Sequence, residues 1–372
     1  SSDNEPDSPE GTVLVAFGKF NDKIYFKSNK NKICALTYKN LQLCYNTFML
    51  LETLEQKKCF KLVCGAGNED LDEVEKLVYL YAKAGCNYFD LSANPKIVDV
   101  ARQSLEKVGL NKKIYLGCSF GIKGDPHQSK AYINMSDCIK CGKCSPLCLQ
   151  NAIYQQEQSF NVTQPKCIGC GKCIGICPQK CISMQDKAKE LKEFLPALIE
   201  KNIDILEFHA ISEDDDEVFR KWNELNEMFS GPLSICIDRS KLGDEKLLTR
   251  EKKMLEIRKP YTTIIQADGF PMSGGKDDFK TTLQAVAAAE IFQNANLPAY
   301  LVISGGTNAK STLLAKQCDI NLNGIAIGSY ARKIVKEFIE QEDFFENEKN
   351  FNDALAIAKN LVETSLKYLA QE

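Results

Sequence analysis

The chain has 372 residues, of which 44% are hydrophobic, and a formal net charge of −3, so it can bury a large core as one large domain or two to three ordinary ones. That balance leaves no basic excess for nucleic acid, and no apolar run approaches the length of a membrane span. Seventeen cysteines in a long, lysine-rich chain argue against the disulfide framework of a small secreted domain and for a reducing compartment or metal ligation.

Residues 1–11 (SSDNEPDSPEG) are polar, acidic and proline-containing, the composition of a disordered tail. Ser1 in place of Met leaves open a processed N-terminus from which a transit peptide has been removed. Residues 12–58 read as a small β-rich cap on the main body. TVLVAFG, KIYFKS and KICALTYKN are its short strands, and LQLCYNTFMLLETLEQ is a helical pattern.

A strand–helix rhythm begins at residue 59. FKLVCGAG (60–67), NYFDLSA (87–93) and KIYLGCSF (113–120) are apolar strands, with amphipathic helical patterns after the first two. The first of these helices opens on acidic residues and the second on Pro95, and each stops at a glycine. The rhythm pauses over 130–184 and resumes over 185–372. There DILEFHA (204–210), PLSICID (232–238), YTTIIQAD (261–268), AYLVISGG (299–306) and GIAIGSY (324–330) each lead into a helix, and a further helix ends the chain. Eight such units predict a parallel α/β architecture closed as a (β/α)8 TIM-like barrel, with a doubly wound open sheet as the competing topology.

The interruption reads CIKCGKCSPLC (138–148) and then CIGCGKCIGICP (167–178), each run with C-x2-C-x2-C-x3-C spacing. This is the bacterial ferredoxin pattern for [4Fe–4S] clusters, in which the fourth cysteine serves the other cubane. Three thiolates on a tight loop can take three corners of one cubane, while the fourth lies one helical turn on and faces away. The pattern therefore predicts a 2[4Fe–4S] ferredoxin-like (α+β) insertion over 130–184. One cluster falls on Cys138, Cys141, Cys144 and Cys177, the other on Cys167, Cys170, Cys173 and Cys148. Zinc knuckles would not require the third and fourth cysteines at this spacing. Cys148 departs from the pattern in preceding Leu149 where Cys177 precedes Pro178, and Pro146 falls inside the first run. Cys181 reads as a spare buried thiol, and Cys64, Cys86, Cys118 and Cys236 as core thiols.

A second signal lies at the ends of the last two strands. Gly305, Gly306, Thr307 and Asn308 follow the seventh, and Gly328, Ser329 and Arg332 follow the eighth. Loops at these positions of a barrel commonly build a phosphate site from glycine amides and helix N-termini, which suits FMN or another phosphorylated ligand. The competing reading is that any tight βα turn favours glycine. Asp90, His209, Asp238, Asp268 and Lys276 are further candidates by position alone, and a hydrogen-bonded structural histidine is the favoured reading of His209. The EDDDE run (213–217) reads as an acidic helix start. No G-x-S-x-G, phosphate-loop lysine motif or H-E-x-x-H occurs.

Across about 58–340 the chain resembles the light-dependent period protein (LdpA) family of cyanobacteria and plastid-bearing lineages. The carrying segments are FKLVCGAG (60–67), AGCNYFDLSA (84–93), QADGFPMSG (266–274), GGTN (305–308) and GSYAR (328–332), in order around the two cysteine runs. The resemblance implies an iron–sulfur protein that reports redox or light state to the circadian clock, and it supplies no catalysed reaction. It also implies a plastid stroma for an algal source and the cytoplasm otherwise.

Three functions compete. The first is a redox sensor signalling to protein partners. The second is an oxidoreductase whose clusters feed a ligand at the barrel mouth with electrons from an external carrier, ferredoxin-like or the quinone pool. The third is a structural iron–sulfur subunit of a larger complex.

Overall fold

The computed structural model describes residues 15–20, 23–27, 33–37, 49–157, 159–269 and 277–369. The expected tail, the 41–48 part of the first helical pattern and the 270–276 loop with Lys276 lie outside the described residues. The chain divides into a unit over Ser1–Met49 and a unit over Leu50–Glu372. In the first, β1 (Val15–Phe20), β2 (Lys23–Lys27) and β3 (Ile33–Thr37) form an antiparallel meander, with β1 and β2 paired down to Phe20 opposite Lys23.

The second unit begins within a short helix over 49–55 (α1) and then builds the barrel. Strand β4 (Cys59–Val63) leads into α2 (Leu71–Ala84), and β5 (Tyr88–Ser92) into α3 (Pro95–Val108). Asn94 caps α3 by accepting from the Lys96 amide at 3.0 Å. Strand β6 (Tyr115–Gly121) completes the first part. An excursion through β7 (Ser129–Ile133), β8 (Ile153–Gln156), β9 (Ser159–Val162), the one-turn α4 (Lys172–Ile176) and β10 (Ile182–Asp186) follows.

The barrel then resumes with α5 (Leu191–Glu200), β11 (Ile205–His209), α6 (Asp215–Met228), β12 (Leu233–Asp238) and α7 (Asp244–Leu255). It is completed by β13 (Thr263–Asp268), α8 (Phe279–Asn294), β14 (Tyr300–Ser304), α9 (Ser311–Gln317), β15 (Gly324–Ile327), α10 (Ser329–Ile339) and α11 (Glu348–Lys367). The acidic start of α6 acts as expected, with Asp214 accepting from the Glu217 amide at 3.0 Å. Strands β4, β5, β6, β11, β12, β13, β14 and β15 pair in parallel, and β15 pairs back to β4, so the sheet closes. Closure decides between the two expected topologies in favour of the eight-stranded barrel.

Alternate residues of each strand point to opposite faces. Phe60 and Leu62, Phe89 and Leu91, Leu206 and Phe208, and Ile325 and Ile327 point outward into one continuous apolar core under the helices, which also holds Trp222. Each large side chain sealed there contributes on the order of 2 kcal/mol. The inward set is of another kind. Lys61, Asp90, Ser119, Glu207, Ser234 and Gln266 are all buried, and all lie outside that apolar core.

The excursion packs on the barrel through its second cysteine run and through β7. Lys130 Nζ donates to Gly67 O at 2.5 Å and to Cys167 O at 2.7 Å. The Glu69 amide donates to Pro165 O at 2.9 Å, and Lys336 on α10 reaches Leu149 O at 2.6 Å. Strands β7 and β10 pair antiparallel, and β8 with β9 form a hairpin. Their shared core contains Ile133, Phe160 and Ile182 together with Cys167, Cys173 and Cys181. So few apolar residues give a weak core on their own, and whatever the thiols hold becomes part of the folding energy.

Candidate iron–sulfur centre and barrel mouth

Folding brings the last cysteine of each run to the other run. Cys138, Cys141 and Cys144 line a small cavity with Cys177, and Cys148 lines a second with Cys167, Cys170 and Cys173. Cys144 lies within the electrostatic reach of Cys138, Cys141 and Cys177, and Cys173 within that of Cys170, Cys167 and Cys148. Gly142, Gly169 and Gly171 take φ of 71°, 74° and 68°, left-handed values that fold each loop back on its own thiols. Backbone amides meet the sulfurs. Ala131 N lies 3.3 Å from Cys167 Sγ, and Ala152 N lies 3.2 Å from Cys148 Sγ. Such amides stabilise thiolate charge. Two tetrads of convergent soft donors, the second supported by the Ala131 and Ala152 amides, fit a pair of iron–sulfur cubanes. Cys181 borders the first cavity, its Sγ 3.4 Å from that of Cys177.

A cavity of about 290 Å³ lies at the C-terminal ends of the barrel strands. Gly305, Gly306, Thr307, Gly328, Ser329 and Arg332 all border it, as do Asp90, His209 and Asp268. Cys170 borders it as well, so the second cysteine tetrad and the mouth share a wall. Asn308 does not border it. Its side chain donates to Asp278 O at 2.8 Å and Thr281 Oγ1 at 2.9 Å, fixing the loop before α8. Thr307 Oγ1 donates to Ala326 O at 2.6 Å, so its hydroxyl is committed to the backbone. Asp238 accepts from the Ser240 amide at 2.8 Å and closes its own turn.

Gly305 has a packing reason to be glycine. A Cβ there would sit 2.6 Å from both N and O of Gly269, because two strand ends cross backbone to backbone. Of the expected core thiols, Cys236 faces the interior instead, its Sγ donating to Asp268 Oδ2 at 3.3 Å.

Below the mouth lies a charge network. Lys61 Nζ contacts Glu207 Oε2 at 2.5 Å, Gln266 Oε1 at 2.7 Å and Asp90 Oδ2 at 3.7 Å. Ser119 Oγ donates to Asp90, and Ser234 Oγ donates to Glu207 Oε2 at 2.8 Å. Burial opposes the Lys61 ammonium, but Asp90 and Glu207 outweigh it and hold the lysine above its usual range. Burial also pushes Glu207 up, yet Lys61 and His209 pull it below the usual carboxylate range. For Asp90 burial prevails over Lys61 and lifts the carboxyl to about 6.

Lys61, Glu207 and Gln266 are hidden in the sequence because each interrupts an otherwise continuous apolar strand run. The available signal was a lone polar residue between apolar neighbours in FKLV, LEF and IQA, repeated on strands that face one another.

The family model of the light dependent period A C-terminal domain matches residues 197–368, and that of the 4Fe-4S dicluster domain matches residues 131–184. Light dependent period A of Synechococcus elongatus (strain ATCC 33912 / PCC 7942 / FACHB-805) is 30% identical over 327 residues, covering 78% of this chain and 84% of that protein. Among solved structures, a truncated 3-deoxy-D-arabino-heptulosonate 7-phosphate synthase from Thermotoga maritima aligns at 11% identity over 82% of this chain and 88% of its own, with a TM-score of 0.41. Tryptophan synthase from M. tuberculosis aligns at 7% identity over 86% and 98%, with a TM-score of 0.43. Likenesses this distant carry nothing about chemistry.

Proposed function

The chain belongs to the light dependent period A family, and on that premise we propose that it is a redox relay built on two [4Fe–4S] clusters and tied to light-dependent timing. Cys138, Cys141, Cys144 and Cys177 hold one cluster, and Cys148, Cys167, Cys170 and Cys173 the other. The 130–184 segment is the cluster-bearing domain, inserted between the barrel parts 59–129 and 185–372. The observation that carries this reading is the exchange of fourth cysteines, which sets four thiols around each of two cavities.

Each cluster supplies one-electron exchange. The protein's own contribution is to hold the thiols, aim amides at the sulfurs and place the two sites in series. The first tetrad lies among exposed Ile139, Lys140 and Lys143, a surface suited to an acidic external electron carrier, ferredoxin-like in charge. The quinone pool is the other source of electrons, and proteins of the clock are the recipients of the signal. A plastid stroma, for an algal source, or the cytoplasm is the matching compartment. Anaerobic purification with counting of iron, sulfide and flavin tests the reading. About eight irons and eight sulfides per chain are expected for two cubanes. Zinc, or no metal, would sink it.

A second reading is favoured by the wall shared between Cys170 and the mouth. Here the clusters serve an oxidoreductase, and Gly305, Gly306, Gly328, Ser329 and Arg332 hold the phosphate of FMN or of a phosphorylated substrate. Flavin in the same count, at one per chain, distinguishes this reading from a sensor that holds clusters alone.

A further inference from the structure

Among the described residues, two buried side chains on the wall of the barrel mouth keep polar atoms without partners. Among the described residues, Nε and Nη1 of Arg332 make no hydrogen bond, although the residue is only 7% exposed. Oδ1 of Asp268, a residue 4% exposed, is equally unpaired. A buried polar group left in this state keeps its desolvation cost uncompensated, and a charged one more so. Both residues border the same cavity. A ligand that satisfies them has to offer an acceptor of charge to the guanidinium and a second polar atom to the carboxyl.

The chemistry of the two ends differs. Arg332 presents a planar fork of donors matched to a carboxylate or phosphate. It stands in the first turn of α10, eleven residues long, whose free amides and dipole favour an anion on the same side. At the other end, burial pushes Asp268 up to about 7, with Glu207 and Asp238 adding to it and the Cys236 hydrogen bond and His209 opposing. Near neutral pH a large fraction of this carboxyl is therefore uncharged and can donate its O–H to a carbonyl oxygen. The volume, about 290 Å³, is just under the range of drug-sized pockets and suits a small metabolite better than a flavin.

We propose that the barrel mouth binds a small oxo-acid anion, its carboxylate or phosphate held by Arg332 and the start of α10 and its carbonyl oxygen held by Asp268. The inference rests on the reading of the mouth as an anion site and replaces the flavin with a smaller ligand.

The test uses the full-length protein purified with its iron, by calorimetric titration and thermal unfolding with inorganic phosphate, pyruvate and propionate. Pyruvate is expected to bind at least tenfold more tightly than propionate, which lacks the carbonyl. Asp268→Leu should erase that preference, and Asp268→Asn, which keeps a donor, should retain it. Arg332→Met should weaken the anion at least tenfold while leaving the ligand-free Tm unchanged or raised, because it removes an unpaired buried charge. Binding of phosphate without pyruvate would assign the anion to a phosphate ester, and pyruvate without phosphate to a carboxylate; either result supports the site. Absence of both overturns it. So does a fall in ligand-free Tm for Arg332→Met, or a change in the cluster spectrum with anion affinity intact, which would tie the guanidinium to the fold or to the cluster. Flavin retained at one per chain would uphold the anion site and overturn the small ligand. Iron content is read on every sample, so failure here stays separate from failure of the cluster assignment.

Discussion

His209 Nδ1 lies 2.8 Å from Asp125 Oδ2, a buried contact that ties β11 to the segment where the chain leaves β6 for the cysteine insertion. Asp125 also takes His127 Nδ1 on its other oxygen at 3.0 Å, so one carboxylate meets both histidines of the chain. Burial disfavours a charged His209, but Asp125 and, on its far side, Glu207 outweigh it and hold the imidazole protonated well above its ordinary range. The same histidines draw Asp125 far below the usual carboxylate range against its own burial.

Removing one member of this pair leaves the other charge buried. Asp125→Asn is expected to lower stability by about 3–5 kcal/mol, the usual effect of breaking a buried pair from one side. The double variant Asp125→Asn with His209→Gln should recover part of that loss. Chemical denaturation of the three variants measures it, and a double variant equal to the sum of the singles would refute the pairing.

The cysteine exchange makes a directional prediction. Cys177→Ser should damage the cluster held by the first run, and Cys148→Ser the one held by the second. Each variant should keep roughly half of its iron, with a different electron paramagnetic resonance signal surviving in the two cases. If Cys177→Ser instead removed the cluster of Cys167, Cys170 and Cys173, the assignment of fourth ligands would be wrong.

Gly305 and Gly269 are predicted to be intolerant of alanine. At Gly305 the new Cβ would meet the backbone of Gly269 at 2.6 Å, with φ at +68°, and at Gly269 it would meet Gly305 O at 2.3 Å. Neither neighbour is a flexible side chain, so each substitution should cost roughly 1–3 kcal/mol. The double variant should lose less than the sum, because the first Cβ already opens the crossing. Thermal unfolding of the three proteins reads this directly, and an unchanged Tm for either single variant would count against the close approach.

Glu251 predicts a pH dependence. It is fully buried on α7, and among the described residues neither carboxylate oxygen has a partner. Burial pushes it up to about 8, with Arg250 opposing. A raised folded value means that the fold binds the proton more tightly than the unfolded chain does. The associated stability is complete below the unfolded value near 4.3 and is lost as pH rises to about 8, at roughly 1.4 kcal/mol per pH unit. Glu251→Gln should remove that slope and be the more stable protein above pH 8. Denaturation midpoints at pH 5, 7 and 9 provide the check, and parallel curves for the two proteins would dismiss it.

Much of the architecture was legible in the sequence because its signals are local. Apolar strands recurring with amphipathic helices count eight units, and helix stops such as Gly85 and Gly109 sit in the left-handed conformation that marks a C-terminus. The cysteine spacing is also local, since three ligands of one cubane must come from one tight loop. It was harder to read Lys61, whose partner Glu207 is 146 positions away. In a one-dimensional reading a lysine between Phe60 and Leu62 is a blemish in an apolar strand.

The sequence by itself therefore determined the repeating barrel units and two loops built to hold iron and sulfur, through periodicity and spacing that a short segment carries alone. Only the tertiary structure decided what those parts face. It gathered Cys177 with the first run, turned the polar residues of several strands into one interior network, committed Asn308 to a loop and left two nitrogens of Arg332 without a partner among the described residues. The physical reason is closure. Curling the sheet until β15 meets β4 sends alternate side chains to a common axis, and which groups meet there depends on registers between strands far apart in the chain.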